Sequence, residues 1–215
     1  MTTKQIRILT LAVATAATAL LWTACANTSV KNTWKSPDYK GGPVQKLALL
    51  AVDDRGQVRG GFENRFVNQL TQQGQGAFTT YKTLPLADIK ANKEAAATTF
   101  RQAGADSILI VRLVDSSTKT TEMQVRQVYL PVTTGIDTYG WYDYYTVAFV
   151  NMSTVRSSTR QDVCLDTSLF DLNTGKRLWS CLTDTVLKDD VDRLEVVDAF
   201  VAKVIAALRK DGLVR

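Results

Sequence analysis

The sequence predicts a single α/β domain, a mixed β-sheet with helices packed on it. The expected order is β-α-β-α-β, then an antiparallel meander and a C-terminal helix. Three observations carry this. Lys46–Val52 and Ser107–Val114 are short apolar runs, the pattern of strands buried on both faces. Between them lie two stretches of helical character, each ended by glycine. Downstream, Asn173-Thr174-Gly175-Lys176 separates two alternating runs, as a hairpin turn does.

The elements follow in order. Ala26–Lys46 is a polar stretch ahead of the first strand, and Asp53-Asp54 leads out of that strand into a helix. From Gly56 to Gln73, Val58, Phe62, Phe66 and Leu70 recur every fourth position and form one stripe; Gly74 and Gly76 close the helix. Ala77–Leu84 reads as a second strand stopped by Pro85. Asp88–Ala103 is alanine-rich and predicts one helix with Ile89, Ala96 and Phe100 turned inward, stopped by Gly104. After Ser107–Val114, alternation continues through Glu122–Leu130 and Thr146–Val155. The hairpin Asp162–Asp171 with Arg177–Leu187 comes next. A last helix begins at Asp189-Asp190-Val191-Asp192, buries Leu194, Val197, Val201, Val204, Ile205 and Leu208, and ends at Lys210 and Gly212.

The first 25 residues have a different character. Lys4 and Arg7 precede an uncharged run from Ile8 to Trp22 that contains Thr10, Thr15 and Thr18, followed by small residues. A bilayer-crossing helix needs about 20 predominantly apolar residues. This shorter run with a charged start and a small-residue end is the pattern of a signal peptide. Leu20-Leu21-Trp22-Thr23-Ala24-Cys25 resembles a bacterial lipobox, in which the cysteine is acylated and becomes the new N-terminus; Trp22 stands where an aliphatic residue is usual. The competing reading is Ala24-Cys25-Ala26 as an ordinary A-x-A cleavage site, which discards Cys25. The expected organisation is a lipoprotein signal peptide over 1–24, an acylated Cys25 and tether over 25–45, and one domain over 46–215 with an aromatic insert near 131–146. The acyl groups would place the domain on a lipid bilayer. Ala26, where Asp would follow in another sorting class, resembles the outer-membrane pattern, so the expected location is the periplasmic side of that membrane.

Composition then excludes function classes. There is no histidine among the 215 residues, which removes Ser-His-Asp and Cys-His nucleophile systems and most zinc sites. Setting aside Lys4 and Arg7 leaves 24 basic against 21 acidic groups, a net +3, too little for a nucleic-acid footprint. Asp189, Asp190, Asp192 and Glu195 have oxygen ligands but neither the glycine nor the spacing of a calcium loop. They read as a helix-capping cluster, and no metal or cofactor is expected.

Three candidate features remain. Gly56-Gln57-Val58-Arg59-Gly60-Gly61 follows a strand and opens a helix but lacks both phosphate-loop patterns; Arg55 and Arg59 are left as candidate anion ligands at that helix N-terminus. Tyr139-Gly140-Trp141-Tyr142-Asp143-Tyr144-Tyr145 places five rings in seven residues. Half of these suit a core strand, while Trp141, Tyr142 and Tyr144 are candidates for a partner-binding tip. Cys164 and Cys181 lie in the two hairpin strands. With Thr174-Gly175 as the turn, Ser168 faces Cys181 and Cys164 sits about 13 Å along on the same face, beyond the reach of a disulfide unless a longer loop or a register shift brings the two together.

Several of these residues occur in an order seen elsewhere. Thr33-Trp34-Lys35-Ser36-Pro37-Asp38-Tyr39, the Lys46–Val52 strand, Phe62-Glu63, Ala103-Gly104-Ala105-Asp106 before Ser107–Val114, and the aromatic insert resemble a widespread group of bacterial lipoproteins. The resemblance spans roughly Thr33 to Ser180. More distantly, the strand–helix–strand core and the Asp171 to Trp179 hairpin are similar to envelope domains. These are the lipoprotein activators of penicillin-binding proteins, the curli-secretion lipoprotein and the N-terminal domain of TolB. The resemblance implies a non-catalytic role in binding or envelope assembly, with an envelope protein as partner, and brings no catalytic residues. The alternative expectation is a soluble periplasmic domain that binds or hydrolyses a small ligand with Asp53, Asp54 and Arg59 at the end of the first strand.

Overall fold

The computed structural model describes residues 27–118, 160–188 and 193–215. These form a six-stranded mixed sheet with four helices packed on it. In chain order the elements are β1 (Asn27–Lys35), β2 (Lys46–Ala51), α1 (Gly56–Gln72), β3 (Gly76–Thr79), α2 (Leu86–Ala91), α3 (Lys93–Gln102), β4 (Ser107–Thr118), β5 (Arg160–Asp171), β6 (Arg177–Lys188) and α4 (Arg193–Lys210). The strand order is β1-β6-β5-β4-β2-β3. β2 pairs in parallel with β3 and β4, and the other neighbours are antiparallel.

Two crossovers place the helices. From β2 the chain crosses outward to β3 through α1, then back over β2 to β4 through α2 and α3. The direction along the sheet reverses, so crossovers of one hand put α1 and the α2–α3 pair on opposite faces. The core divides accordingly. On one face Leu47, Leu49, Leu109, Val111 and Leu169 pack with Phe66 and Leu70 of α1 and with Phe200, Val201, Val204 and Leu208 of α4. On the other, Ala48, Leu50, Ile108, Ile110 and Phe170 meet Ile89, Ala96 and Phe100. The apolar β2 and β4 runs are therefore buried on both sides, as their sequences require.

Several elements differ from expectation, each for a local reason. β1 arises within the stretch read as a tether: its polar residues form an edge strand along β6, where one face of the strand is open, and Thr28 Oγ1 lies 3.0 Å from Thr185 Oγ1. Gly76 opens β3 instead of closing α1. β3 ends at Thr79, because Thr83 and Leu84 both donate to the Thr80 carbonyl and turn the chain early. The single helix expected over Asp88–Ala103 is two. Asn92, at φ −149° and ψ 96°, ends α2 and caps α3, accepting from Ala95 N at 2.9 Å. Leu194, expected on the buried stripe of the last helix, is 55% exposed, whereas Val196 and Phe200 are buried. Gly74, Gly104, Gly175 and Gly212 all take positive φ, which fits their reading as helix stops and a hairpin turn.

The hairpin has the expected strands and turn, with its register altered by a β-bulge. Phe170 pairs with Arg177 and Leu169 with Trp179, so Leu178 is the extra residue. That slip puts Thr167 opposite Cys181 and Cys164 opposite Asp184. The two cysteines are three residues apart in register and on opposite faces, not on one face as the simple turn implied. At 3.3 Å per residue the separation is about 10 Å, and no disulfide joins them. The expected strands Glu122–Leu130 and Thr146–Val155, and Asp189, Asp190 and Asp192, lie outside the described residues.

Candidate functional site

The carboxyl ends of β2 and β4 open onto a cleft of about 560 Å³ between the N-terminal turns of α1 and α4. β4, β5 and β6 run past the end of β2, and this overhang forms the cleft floor through Leu113, Val163, Leu165 and Leu187. Val58 and Phe62 of α1 and Val197 and Phe200 of α4 form its walls. The Phe62 and Phe200 rings meet edge to face with centroids 5.8 Å apart. Arg65 Nε lies 3.0 Å from Asp198 Oδ1, an ion pair that links the two helices. The lining is mainly hydrocarbon, with charges at the rim.

At the rim, Asp53 and Arg55 are paired. Asp53 Oδ1 accepts from the backbone N and Nε of Arg55, each at 2.9 Å, and Asp53 Oδ2 accepts from Arg55 Nη2 at 2.7 Å. This hydrogen bonding to Asp53 is the main cause that pushes the Arg55 guanidinium above its ordinary range. Asp54 is exposed and is not part of the lining.

Arg59 is placed differently from Arg55. It is 4% exposed, and its Nε donates to Glu63 Oε1 at 2.8 Å while its Nη2 donates to Thr80 Oγ1 at 2.8 Å. Glu63, 1% exposed, binds the ends of two strands to the helix. Its Oε1 accepts from Ala51 N at 3.2 Å and Thr80 Oγ1 at 3.2 Å, and its Oε2 accepts from Tyr81 N at 2.7 Å. Burial raises the Glu63 pKa above its ordinary value, against the lowering effect of Arg59 and the backbone donors. Thus Arg55 lines the cleft, whereas Arg59 is built into the strand–helix junction beneath it. Arg59 was expected as an anion ligand, and its pairing with Glu63 was not read from the sequence because both residues lie off the apolar stripe. The available signal was their i,i+4 spacing on a helix together with the Phe62-Glu63 pair.

Trp141, Tyr142 and Tyr144 lie outside the described residues. The segment that carries them joins Thr118 of β4 to Arg160 of β5, at the cleft end of the sheet. Cys25 also lies outside the described residues, two positions before Asn27, which pairs with Val186 at this same end. Arg112, which also contributes to the cleft lining, donates through Nη2 to Asp166 Oδ2 at 3.0 Å. No described helix is long and apolar enough to cross a membrane.

No family model and no curated protein matches this sequence. Among solved structures, the chain is similar to the PelC dodecamer from Paraburkholderia phytofirmans. The identity is 14%, over 87% of this chain and 99% of that chain, with a TM-score of 0.48. It is also similar to lipoprotein GNA1162 from Neisseria meningitidis, at 15% identity over 78% of this chain and 99% of that chain, with a TM-score of 0.42.

Proposed function

We propose that the protein is a non-catalytic bacterial envelope lipoprotein, held to the membrane through an acylated Cys25, whose domain docks an envelope protein. The observation that carries the docking role is the cleft: an apolar hollow with Asp53 and Arg55 already bound to each other at its rim. Such a lining binds by excluding water from hydrocarbon and offers little to polarise a reacting bond. The leader, the missing histidine and the resemblance of the Thr33 to Ser180 pattern to bacterial lipoproteins support the same reading. Residues 141, 142 and 144 are a second candidate contact.

A soluble small-ligand domain is the alternative, and the position of the cleft outside the carboxyl ends of the parallel strands favours it. Its hydrolytic form is less well supported, because Arg59 is committed to Glu63. Envelope fractionation separates the two. Cys25→Ala is expected to move the protein from the membrane to the soluble fraction. In the membrane-bound wild type, cross-linking is expected to trap a partner that Val58→Asp at the cleft wall releases. A wild-type protein already soluble, with no cross-link sensitive to the cleft, would contradict the proposal.

A further inference from the structure

The position of Cys25 relative to the sheet says more than that the chain is tethered. One residue, Ala26, separates it from Asn27, the first residue of β1. A chain spans at most about 3.6 Å per residue, so the Cα of Cys25 lies within about 7 Å of that of Asn27. Asn27 pairs with Val186, between Thr185 and Leu187, two residues that line the cleft. The anchor therefore emerges beside the cleft.

Resting on the lipoprotein reading above, we infer that the cleft end of the domain faces the phospholipid surface. The first turn of α4 is seated against it, and the cleft beside that turn stays open to the partner. The same end presents Leu194, 55% exposed, beside the exposed Arg193. An exposed leucine next to a basic residue suits a lipid interface, where hydrocarbon can enter and the cation stays at the headgroups. The hairpin turn at Asn173–Lys176 is at the other end of β6, about 33 Å from Val186 at 3.3 Å per residue, and points to the aqueous side. Residues 189, 190 and 192 are aspartates, so the seating rests on apolar contact and proximity, and neutral lipid suffices.

The test uses the chain from Cys25 to Arg215, with a thioester lipid ligated to its N-terminal cysteine. It is bound to phosphatidylcholine vesicles that contain a phosphatidylcholine with a photoactivatable headgroup. After illumination, mass spectrometry locates the adducts. A several-fold excess at Arg193–Val197 and Thr185–Leu187 over Asn173–Lys176 is expected, and Leu194→Glu, an exposed substitution that leaves the core intact, is expected to remove most of that excess. Equal labelling of the two ends, labelling centred on the turn, or none on the domain would overturn the inference. The mass of Cys25 in protein taken from membranes reports on natural acylation separately, so the failure of either claim is recognisable.

Discussion

Glu63 is where single side chains matter most. Four donors converge on one buried carboxylate, and one of them, Arg59, is itself buried. Removing one partner of such a pair strands the other charge in a dry site. Glu63→Ala is expected to lower stability by about 3–5 kcal/mol in urea unfolding, and adding Arg59→Met to restore a substantial part of it. The pH dependence follows from the raised pKa. As pH rises through the ordinary value of 4.5, the unfolded chain releases its proton before the folded one, so Glu63 contributes most at low pH and progressively less up to its folded pKa. Glu63→Gln should therefore gain on the wild type as pH rises through that window. A stability difference that is flat with pH would contradict this. Cys181 behaves differently: burial first, then the nearby Asp166 and Asp211, push its thiol from 9.0 up to about 12. Its neutral form favours the fold, so its contribution is complete below pH 9 and is lost between about 9 and 12. Iodoacetamide at pH 8 is expected to leave Cys181 unmodified in the folded protein and to alkylate it in urea. Of these residues Arg59 and the cysteines stood out in the sequence, Arg59 as an anion ligand; its pairing with Glu63 did not, because a buried ion pair has the same composition as a solvated one.

The elements were legible wherever the signal was periodic or conformational, and lost where tertiary pairing decided. β2 and β4 announced themselves as apolar runs, and Gly74, Gly104, Gly175 and Gly212 as stops that need positive φ. Gly175→Ala at the hairpin turn is expected to cost about 1–2 kcal/mol, read as a shift of the unfolding midpoint. β1 gave no such signal: Asn27–Lys35 is polar because only part of it is covered, and it is a strand because β6 supplies its hydrogen bonds. The break at Asn92 was equally hidden, since helix-forming residues flank it on both sides. Asn92→Ala should destabilise by about 1 kcal/mol through loss of the cap on Ala95 N, and Asn92→Asp should restore most of that. The hairpin shows the limit of counting from a turn. One bulge at Leu178 moves every pair beyond it by one residue and turns Cys164 to the face opposite Cys181.

At the scale of the whole molecule, the fold class was readable because strand, helix and turn signals agreed. The cleft was not, because it is assembled from β4, β5, β6, α1 and α4, which only the sheet order brings together. Arg55 was singled out only as an anion ligand at the helix N-terminus, and Val58, Phe62 and Val197 only as core candidates, although all four line the cleft; Phe200, which also walls it, was not singled out. Phe200, in edge-to-face contact with Phe62 and Phe66, joins the two helices over the sheet, and Phe200→Ala is expected to cost about 3–5 kcal/mol in urea unfolding. The same architecture sets the first strand almost directly after Cys25, so the proposed anchor and the cleft share one end of the domain. The most direct test of this account is the intact mass of the mature protein isolated from its own cells. The expected mass is that of a chain beginning at Cys25 and carrying diacylglycerol; the mass of a chain beginning at Asn27, with the cysteine removed, would overturn the acylated anchor.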